Sequence, residues 1–181
     1  MVNCWNEKLL KMKIKLLLVL FVVPMTVYSQ SNPFDSIKYD QVIAYEFQGR
    51  GGRMIEYCLE SDVSKISKSI VLKDNQVKSI ENVLTADSSY GNTTMACFDP
   101  HLGIVYYYQG KVVGSIDICL ECNYLIASED IQATTEKIIV VSDEYSYPAK
   151  GFAKSARKQI YEFCKILEFE KFLKPLNSIF D

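Results

Sequence analysis

The stretch GIVYYYQGKVVGSIDI, residues 103–118, decides the fold predicted from this sequence. It contains two runs rich in β-branched and aromatic residues, Gly103–Tyr108 and Lys111–Ile118, separated by Gln109-Gly110. Two such runs joined by two turn residues are typical of a β-hairpin. We therefore predict a hairpin in the middle of the chain, with Val105 opposite Gly114.

The segments around the hairpin predict more strands and two helices. Runs of β-forming residues predict strands at Gln41–Phe47, Met54–Leu59, Ser69–Leu72 and Lys137–Val141. Apolar residues at helical spacing predict helices at Asp74–Thr85, with Asp74 as the capping residue, and at Ala153–Leu167. Loops are predicted at Asp87–Thr94 and Asp143–Gly151. The predicted fold class is α+β: an antiparallel sheet with a central β-hairpin, one mid-chain helix and a C-terminal helix packed on one face.

Residues 1–29 have the pattern of a cleaved secretory signal peptide. A basic front is followed by an uncharged apolar run from Leu16 to Val27, and small or medium residues precede a cleavage site between Ser29 and Gln30. The run is shorter than the ~20 residues that a membrane-spanning helix needs. We expect residues 30–181 to form a single α+β domain, periplasmic or secreted, with no stable membrane anchor after cleavage.

The charge of the mature chain limits its partners. Removal of residues 1–29 takes away four lysines and one glutamate, which changes the net charge from −2 to −5. A mildly acidic surface offers no electrostatic basis for binding nucleic acid. We expect no nucleic-acid partner, whereas a protein partner stays open.

The mature chain keeps an odd number of cysteines. They are Cys58, Cys97, Cys119, Cys122 and Cys164. Thiols outside the cytoplasm tend to pair, so at least one of the five is unpaired, bound to metal or bridged to another chain. Cys164 lies on the apolar stripe of the C-terminal helix and is expected in the core, unless it bridges to Cys58.

The hairpin brings four chemically active residues into one neighbourhood, which we call the cysteine corner: Cys97, His101, Cys119 and Cys122. Continuing the ladder outward from the turn places Cys97 opposite Cys122 and His101 opposite Ile118. Because Pro100 bends a strand, the register beyond it is open by a residue or more.

Three chemistries fit the cysteine corner. A disulfide between Cys97 and either Cys119 or Cys122 is favoured by an oxidising compartment. Zinc is the second, because three thiolates and the His101 imidazole form a usual set of structural zinc ligands. The third is thiol–disulfide exchange at Cys119 and Cys122, although the pair ends a strand and lacks the helix that lowers a thiol pKa.

The corner also carries a sequence resemblance. Its motifs are Ala96-Cys97-Phe98-Asp99-Pro100-His101 and Ile118-Cys119-Leu120-Glu121-Cys122-Asn123. Together with Ser89-Tyr90-Gly91 and the stretch from Gly151 to Arg157, they resemble a family of uncharacterised small secreted bacterial proteins with a Cys-Phe-x-Pro-His and Ile-Cys-x-x-Cys signature. The resemblance implies that the four residues form one site, and it implies no activity.

The sequence predicts a non-enzymatic binding or structural domain with a disulfide-stabilised cysteine corner. One alternative is a zinc-binding extracytoplasmic protein, structural or catalytic, that uses the four corner residues with Asp99, Asp117 or Glu121 nearby. Another is a protein active in thiol–disulfide exchange. No catalytic residue is assigned, because a catalytic histidine needs a nucleophile and an orienting group that the spacing does not supply.

Overall fold

The computed structural model describes residues 32–52, 54–135 and 138–170, and the predicted signal peptide lies outside them. The described residues form nine strands and four α-helices in an α+β arrangement, as predicted. The strands are β1 (Gln41–Phe47), β2 (Ile66–Val71), β3 (Tyr90–Thr93), β4 (Leu102–Tyr108), β5 (Lys111–Cys119), β6 (Tyr124–Ala127), β7 (Ile138–Ser142), β8 (Tyr145–Pro148) and β9 (Lys150–Phe152). The helices are α1 (Ile55–Ser61), α2 (Asp74–Thr85), α3 (Gln132–Thr135) and α4 (Lys154–Ile166). In this part of the chain, no helix has the length and hydrophobicity needed to cross a membrane.

The main sheet is antiparallel and has five strands in the order β2-β1-β4-β5-β6. The predicted hairpin is its centre: β4 and β5 are joined at Gln109-Gly110, and both turn residues have positive φ, 52° and 75°. Two positive φ values are what a tight two-residue hairpin turn requires. Two small sheets, β3 with β9 and β7 with β8, complete the strands.

The register of the hairpin differs from the prediction by one residue. Next to the turn, Tyr108 faces Lys111, but Val105 faces Ser115 rather than the predicted Gly114. A β-bulge shifts the register between Tyr106 and Tyr107. A bulge of this kind accommodates one unpaired residue and increases the local twist, and alternation alone does not predict it.

The two long helices pack on one face of the sheet. Their buried side chains are Val77, Ile80 and Leu84 of α2 and Ala156, Ile160, Phe163 and Cys164 of α4. They meet the sheet residues Val42, Ala44, Leu102, Ile104, Tyr106, Ile116, Ile118 and Leu125 in one cluster. Burial of each large aliphatic side chain contributes about 1.5–3 kcal/mol, so this face forms the larger part of the core.

A buried polar contact ties α2 to the sheet. Glu81 is 5% exposed and accepts hydrogen bonds from the Tyr106 hydroxyl and the Asn32 side-chain amide, both at 2.9 Å. Burial raises the pKa of the Glu81 carboxyl, and the two hydrogen bonds oppose that effect.

The opposite face of the sheet is covered by α1, where we predicted a strand at Met54–Leu59. That prediction is wrong because Ile55, Cys58 and Leu59 also fit a helical stripe, and they pack on the sheet as one. Gly103 permits the close approach, since a Cβ there would lie 2.8 Å from the Cβ of Ile55. The Ile55 N–H donates to the buried Asp117 carboxylate at 2.8 Å, which holds the start of the helix.

Two predicted loops contain strands. Within Asp87–Thr94 the structure has β3, and within Asp143–Gly151 it has β8 and the start of β9. β3 pairs antiparallel with β9, from Tyr90 opposite Phe152 to Thr93 opposite Lys150. For β3 and β9, pairing between segments distant in sequence determines the conformation rather than local propensity, whereas β8 pairs with the adjacent β7.

The remaining elements lie close to their predicted positions, with one correction at a helix start. Ser69–Leu72 corresponds to β2, Lys137–Val141 to β7 and Ala153–Leu167 to α4, although Lys137 lies outside the described residues. Asp74 is the first residue of α2 and not its cap. Lys73 is the cap residue, and its N–H donates to the side chain of Gln76 at 2.9 Å.

Candidate functional site

The cysteine corner is built at the outer ends of β4, β5 and β6. The turn from Cys119 to Tyr124 closes through Asn123, whose φ is +66°, a left-handed value that asparagine adopts more readily than most residues. The Asn123 side-chain amide donates to the carbonyls of Thr93 (2.8 Å) and Phe152 (3.2 Å). One residue therefore joins this turn to both strands of the β3–β9 sheet.

A disulfide joins Cys97 to Cys122, with the two Cα atoms 5.6 Å apart. This is one of the two pairings predicted from the hairpin ladder. The N–H of Met95 donates to the Cys122 carbonyl at 3.0 Å, so the segment before Cys97 runs beside the turn. Cys97 is exposed, whereas Cys122 is 1% exposed. The bridge therefore connects the buried turn to a segment on the surface.

Cys119 lies directly beside this bridge as a thiol. It is 1% exposed, and its Sγ accepts the backbone N–H of Cys122 at 3.2 Å. Burial raises the pKa of the Cys119 thiol, and backbone N–H donors from Cys122, Asp99 and Glu121 oppose that effect. The corner thus holds a disulfide and a thiol in contact with the same turn.

His101 points toward a different strand. Its Nδ1–H donates to the carbonyl of Phe47 on β1 at 3.1 Å, and its backbone N–H donates to the Ile118 carbonyl at 3.2 Å. Because β4 lies between β1 and β5 in the sheet, the ring is directed away from the strand that carries Cys119. The structure therefore joins the three cysteines of the corner but not the imidazole.

The zinc alternative used Cys97, His101, Cys119 and Cys122 together. Two of these four proposed ligands, the sulfurs of Cys97 and Cys122, are bonded to each other in the disulfide. Among the described residues, no group of three or more His, Cys, Asp and Glu side chains is arranged to hold a metal ion. Zinc binding stays a prediction for the reduced protein, in which both bridging sulfurs would be available as thiolates.

A cleft of about 610 Å³ opens next to the disulfide. We call it the disulfide cleft, and its walls are the glycine turn Gly51-Gly52, the segment 97–99, Met54, the outer face of β6 and the residues Glu144 and Ser146 of the β7–β8 hairpin. The Gly51 N–H donates to the Asp99 carboxylate at 2.8 Å, which holds the glycine turn against the disulfide-bearing segment.

Asp117 is a buried acid two residues from the corner. It is 2% exposed, and burial raises the pKa of its carboxyl to about 7 despite the hydrogen bond from Ile55. Glu56 adds a smaller upward effect through its charge. The carboxyl lies beneath α1, where its protonation affects the stability of the fold.

The other two cysteines are in the core, as expected for Cys164. Cys164 is on the buried side of α4 and packs on one face of the sheet, and Cys58 is on the buried side of α1 and packs on the other. A bridge between them, the alternative considered from the sequence, is therefore wrong. Burial raises the pKa of the Cys164 thiol well above its usual value.

Several residues of the cleft were not predicted from the sequence. The sequence predicts Met54 in a strand and Glu144 and Ser146 in a loop. Each is brought to the site by an element whose position depends on contacts distant in sequence, so local patterns carry no signal for it.

No family model, curated protein or solved structure matches this chain. The resemblance carried by the cysteine motifs therefore stays an expectation from the sequence.

Proposed function

We propose that this protein is an extracytoplasmic, non-enzymatic binding domain whose ligand occupies the disulfide cleft. The ligand class we propose is a molecule or side chain with an aromatic or aliphatic body and a positive charge. The main support is the cleft itself: its volume of about 610 Å³ falls within the ~300–1,000 Å³ of typical small-ligand sites.

The apolar part of the ligand would pack on an aromatic wall. Phe98 and Tyr124 line the cleft with 7% and 2% of each residue exposed, and their ring centroids lie 4.8 Å apart. The ring of Tyr147 packs against Tyr124 at 6.2 Å. Ile126 is 38% exposed at the same wall. Packed aromatic side chains lose little conformational entropy on binding, and aromatic faces attract cations.

The positive charge is proposed from the acidic residues of the cleft. Among the described residues that line it, the charged ones are Asp99 and Glu144, which belong to different segments. Two carboxylates near an aromatic surface favour an ammonium or guanidinium group over an anion.

The disulfide supports this function by fixing the wall in advance. Cys97 and Phe98 are adjacent, so the bridge to Cys122 limits the motion of the segment that carries the first aromatic ring. A wall that is fixed before binding lowers the entropic cost of binding, because the segment does not have to become ordered when the ligand arrives.

A pair of probes of opposite charge tests the proposal. Phenethylamine and phenylacetate share the same ring and differ in charge, and each can be titrated calorimetrically into the oxidised protein at low salt. We expect phenethylamine to bind at about millimolar affinity. We expect the affinity for phenylacetate to be at least about fivefold lower, since about 1 kcal/mol of charge discrimination gives that factor.

Two charge-reversal variants locate the binding. Glu144→Lys places the opposite charge in the cleft, and Glu162→Lys makes the same change on the exposed surface of α4. We expect the first to weaken phenethylamine binding about fivefold or more and the second to leave it unchanged. Equal effects of the two variants, equal binding of the two probes, or no binding of either would contradict the proposal.

The location outside the cytoplasm is proposed from residues 1–29. Expression of the full chain in a bacterium, followed by N-terminal sequencing of the protein in the periplasmic fraction, tests it. We expect a chain that begins at Gln30. Recovery of an intact chain from the cytoplasm alone would contradict this part of the proposal.

A further inference from the structure

We propose that Cys119, Cys122 and Cys97 form a thiol–disulfide exchange site, in which the buried Cys119 thiol displaces Cys97 from Cys122 and releases Cys97 as a surface thiol. This goes beyond ligand binding in the cleft and does not depend on it. Two cysteines of one turn, Cys119 as a thiol and Cys122 bridged to Cys97 of the neighbouring segment, carry the inference.

The position of Cys119 suits it to be the attacking group. Its Sγ accepts the backbone N–H of Cys122 at 3.2 Å, so the sulfur lies against the residue whose Sγ it would attack. Two residues separate Cys119 from Cys122, the spacing found in many exchange-active pairs. Burial and the charge of Glu121 raise the pKa of the Cys119 thiol, and the backbone N–H groups of Cys122, Asp99 and Glu121 offset part of that rise by stabilising the thiolate.

The difference in burial sets the direction of the exchange. Attack on Cys122 expels the sulfur of Cys97, an exposed residue, whereas attack on Cys97 would expel the sulfur of Cys122, a buried residue. Water stabilises a departing thiolate, and a better-stabilised leaving group departs faster. Attack on Cys122 is therefore the favoured route.

The step balances without an external oxidant or reductant. The Cys119 thiol loses its proton, its sulfur forms a bond to Cys122 Sγ, the Cys97–Cys122 bond breaks, and the Cys97 thiolate takes up a proton. The product has a Cys119–Cys122 bridge and a Cys97 thiol at the rim of the disulfide cleft. There it can attack an external disulfide, forming a mixed disulfide and releasing one thiol.

Trapping with N-ethylmaleimide tests the exchange in the native oxidised protein. The protein is incubated at pH 8 without reductant, sampled over hours, acidified, digested at low pH and mapped by mass spectrometry. We expect a species with the label on Cys97 and a bridge between Cys119 and Cys122. Disulfide rearrangement without a catalyst takes minutes to hours, so this species should accumulate on that scale. Its rate should become independent of reagent concentration when exchange is limiting.

Wild-type protein alone can overturn the proposal. A label on Cys119 with the Cys97–Cys122 bridge intact, or no label on either residue, contradicts it. This readout does not depend on whether any variant folds.

Two variants add a matched comparison. Cys119→Ser should abolish labelling of Cys97, whereas Cys164→Ala, which removes a buried thiol in the core beneath α4, should leave it at the wild-type rate. Equal labelling of Cys97 in Cys119→Ser and wild type contradicts the proposal, because another thiol would then be the attacking group.

Discussion

Replacement of Asp117 by asparagine should make the protein more stable at neutral pH and change how its stability depends on pH. Asp117 is 2% exposed, and its carboxyl accepts the N–H of Ile55 at the start of α1 at 2.8 Å. Asparagine has the same shape and keeps an oxygen to accept that N–H, but it carries no charge that burial would penalise.

The magnitude follows from the pKa of the group in the folded chain. Burial raises the pKa of Asp117 from 3.8 to about 7. The folded state therefore holds a proton between these pH values that the unfolded state has lost, and stability falls as pH rises through this window. A difference of about three pKa units corresponds to about 4 kcal/mol. Above pH ~7 both states are ionised and the penalty is constant.

Urea unfolding followed by circular dichroism, from pH 4 to 8.5, measures the effect. Asp117→Asn and wild type should have similar free energies of unfolding at pH 4, and the variant should be more stable by about 4 kcal/mol at pH 8. Asp130→Asn removes an exposed carboxylate and serves as the control. If the curves of Asp117→Asn and wild type run parallel across this range, or if the variant is the less stable at pH 8, the ionised Asp117 does not carry a burial penalty.

Other predictions concern the disulfide and the packing on both faces of the sheet, and denaturant unfolding of each variant measures them. Replacing Cys97 and Cys122 together by serine should cost about 3–4 kcal/mol, because the bridge closes a loop with a sequence separation of 25; a loss below about 1 kcal/mol would contradict it. Gly103→Ala should cost about 1–3 kcal/mol, because its Cβ would meet Ile55 of α1, and an unchanged midpoint would show that α1 does not press on this strand. Ile160→Ala should lower the free energy of unfolding by about 2–5 kcal/mol, since Ile160 is fully buried where α4 meets the sheet. A decrease below about 0.5 kcal/mol would contradict that packing.

Local patterns predicted the parts of the fold that local chemistry determines. The hairpin at residues 103–118 was predicted from the two turn residues between its strands, and the helix Asp74–Thr85 from apolar residues at helical spacing. Both signals lie within a few consecutive positions of the sequence. The helix at Ile55–Ser61 was mistaken for a strand because a seven-residue segment can fit both periodicities. Its conformation is decided by contact with Gly103 and Asp117, which lie far away in sequence.

The candidate site was predicted in the same uneven way. The ladder of the hairpin brought Cys97 and Cys122 together, and the structure joins them. His101 was included because it precedes the same strand, yet its ring bonds to Phe47 on the neighbouring strand on the other side. The direction of a side chain at the end of a strand depends on both neighbouring strands, and the hairpin alone specifies only one of them. The cleft depends on the β7–β8 hairpin, whose position no local pattern predicts.

A non-reducing peptide map of the native protein, alkylated and digested at low pH, tests the central claim most directly. The claim is that a Cys97–Cys122 bridge holds the aromatic wall of the disulfide cleft in the ground state. We expect a linked pair of peptides that contains Cys97 and Cys122, with Cys119 recovered as a thiol. A predominant Cys97–Cys119 link, or full alkylation of both Cys97 and Cys122 in the native protein, would contradict the account.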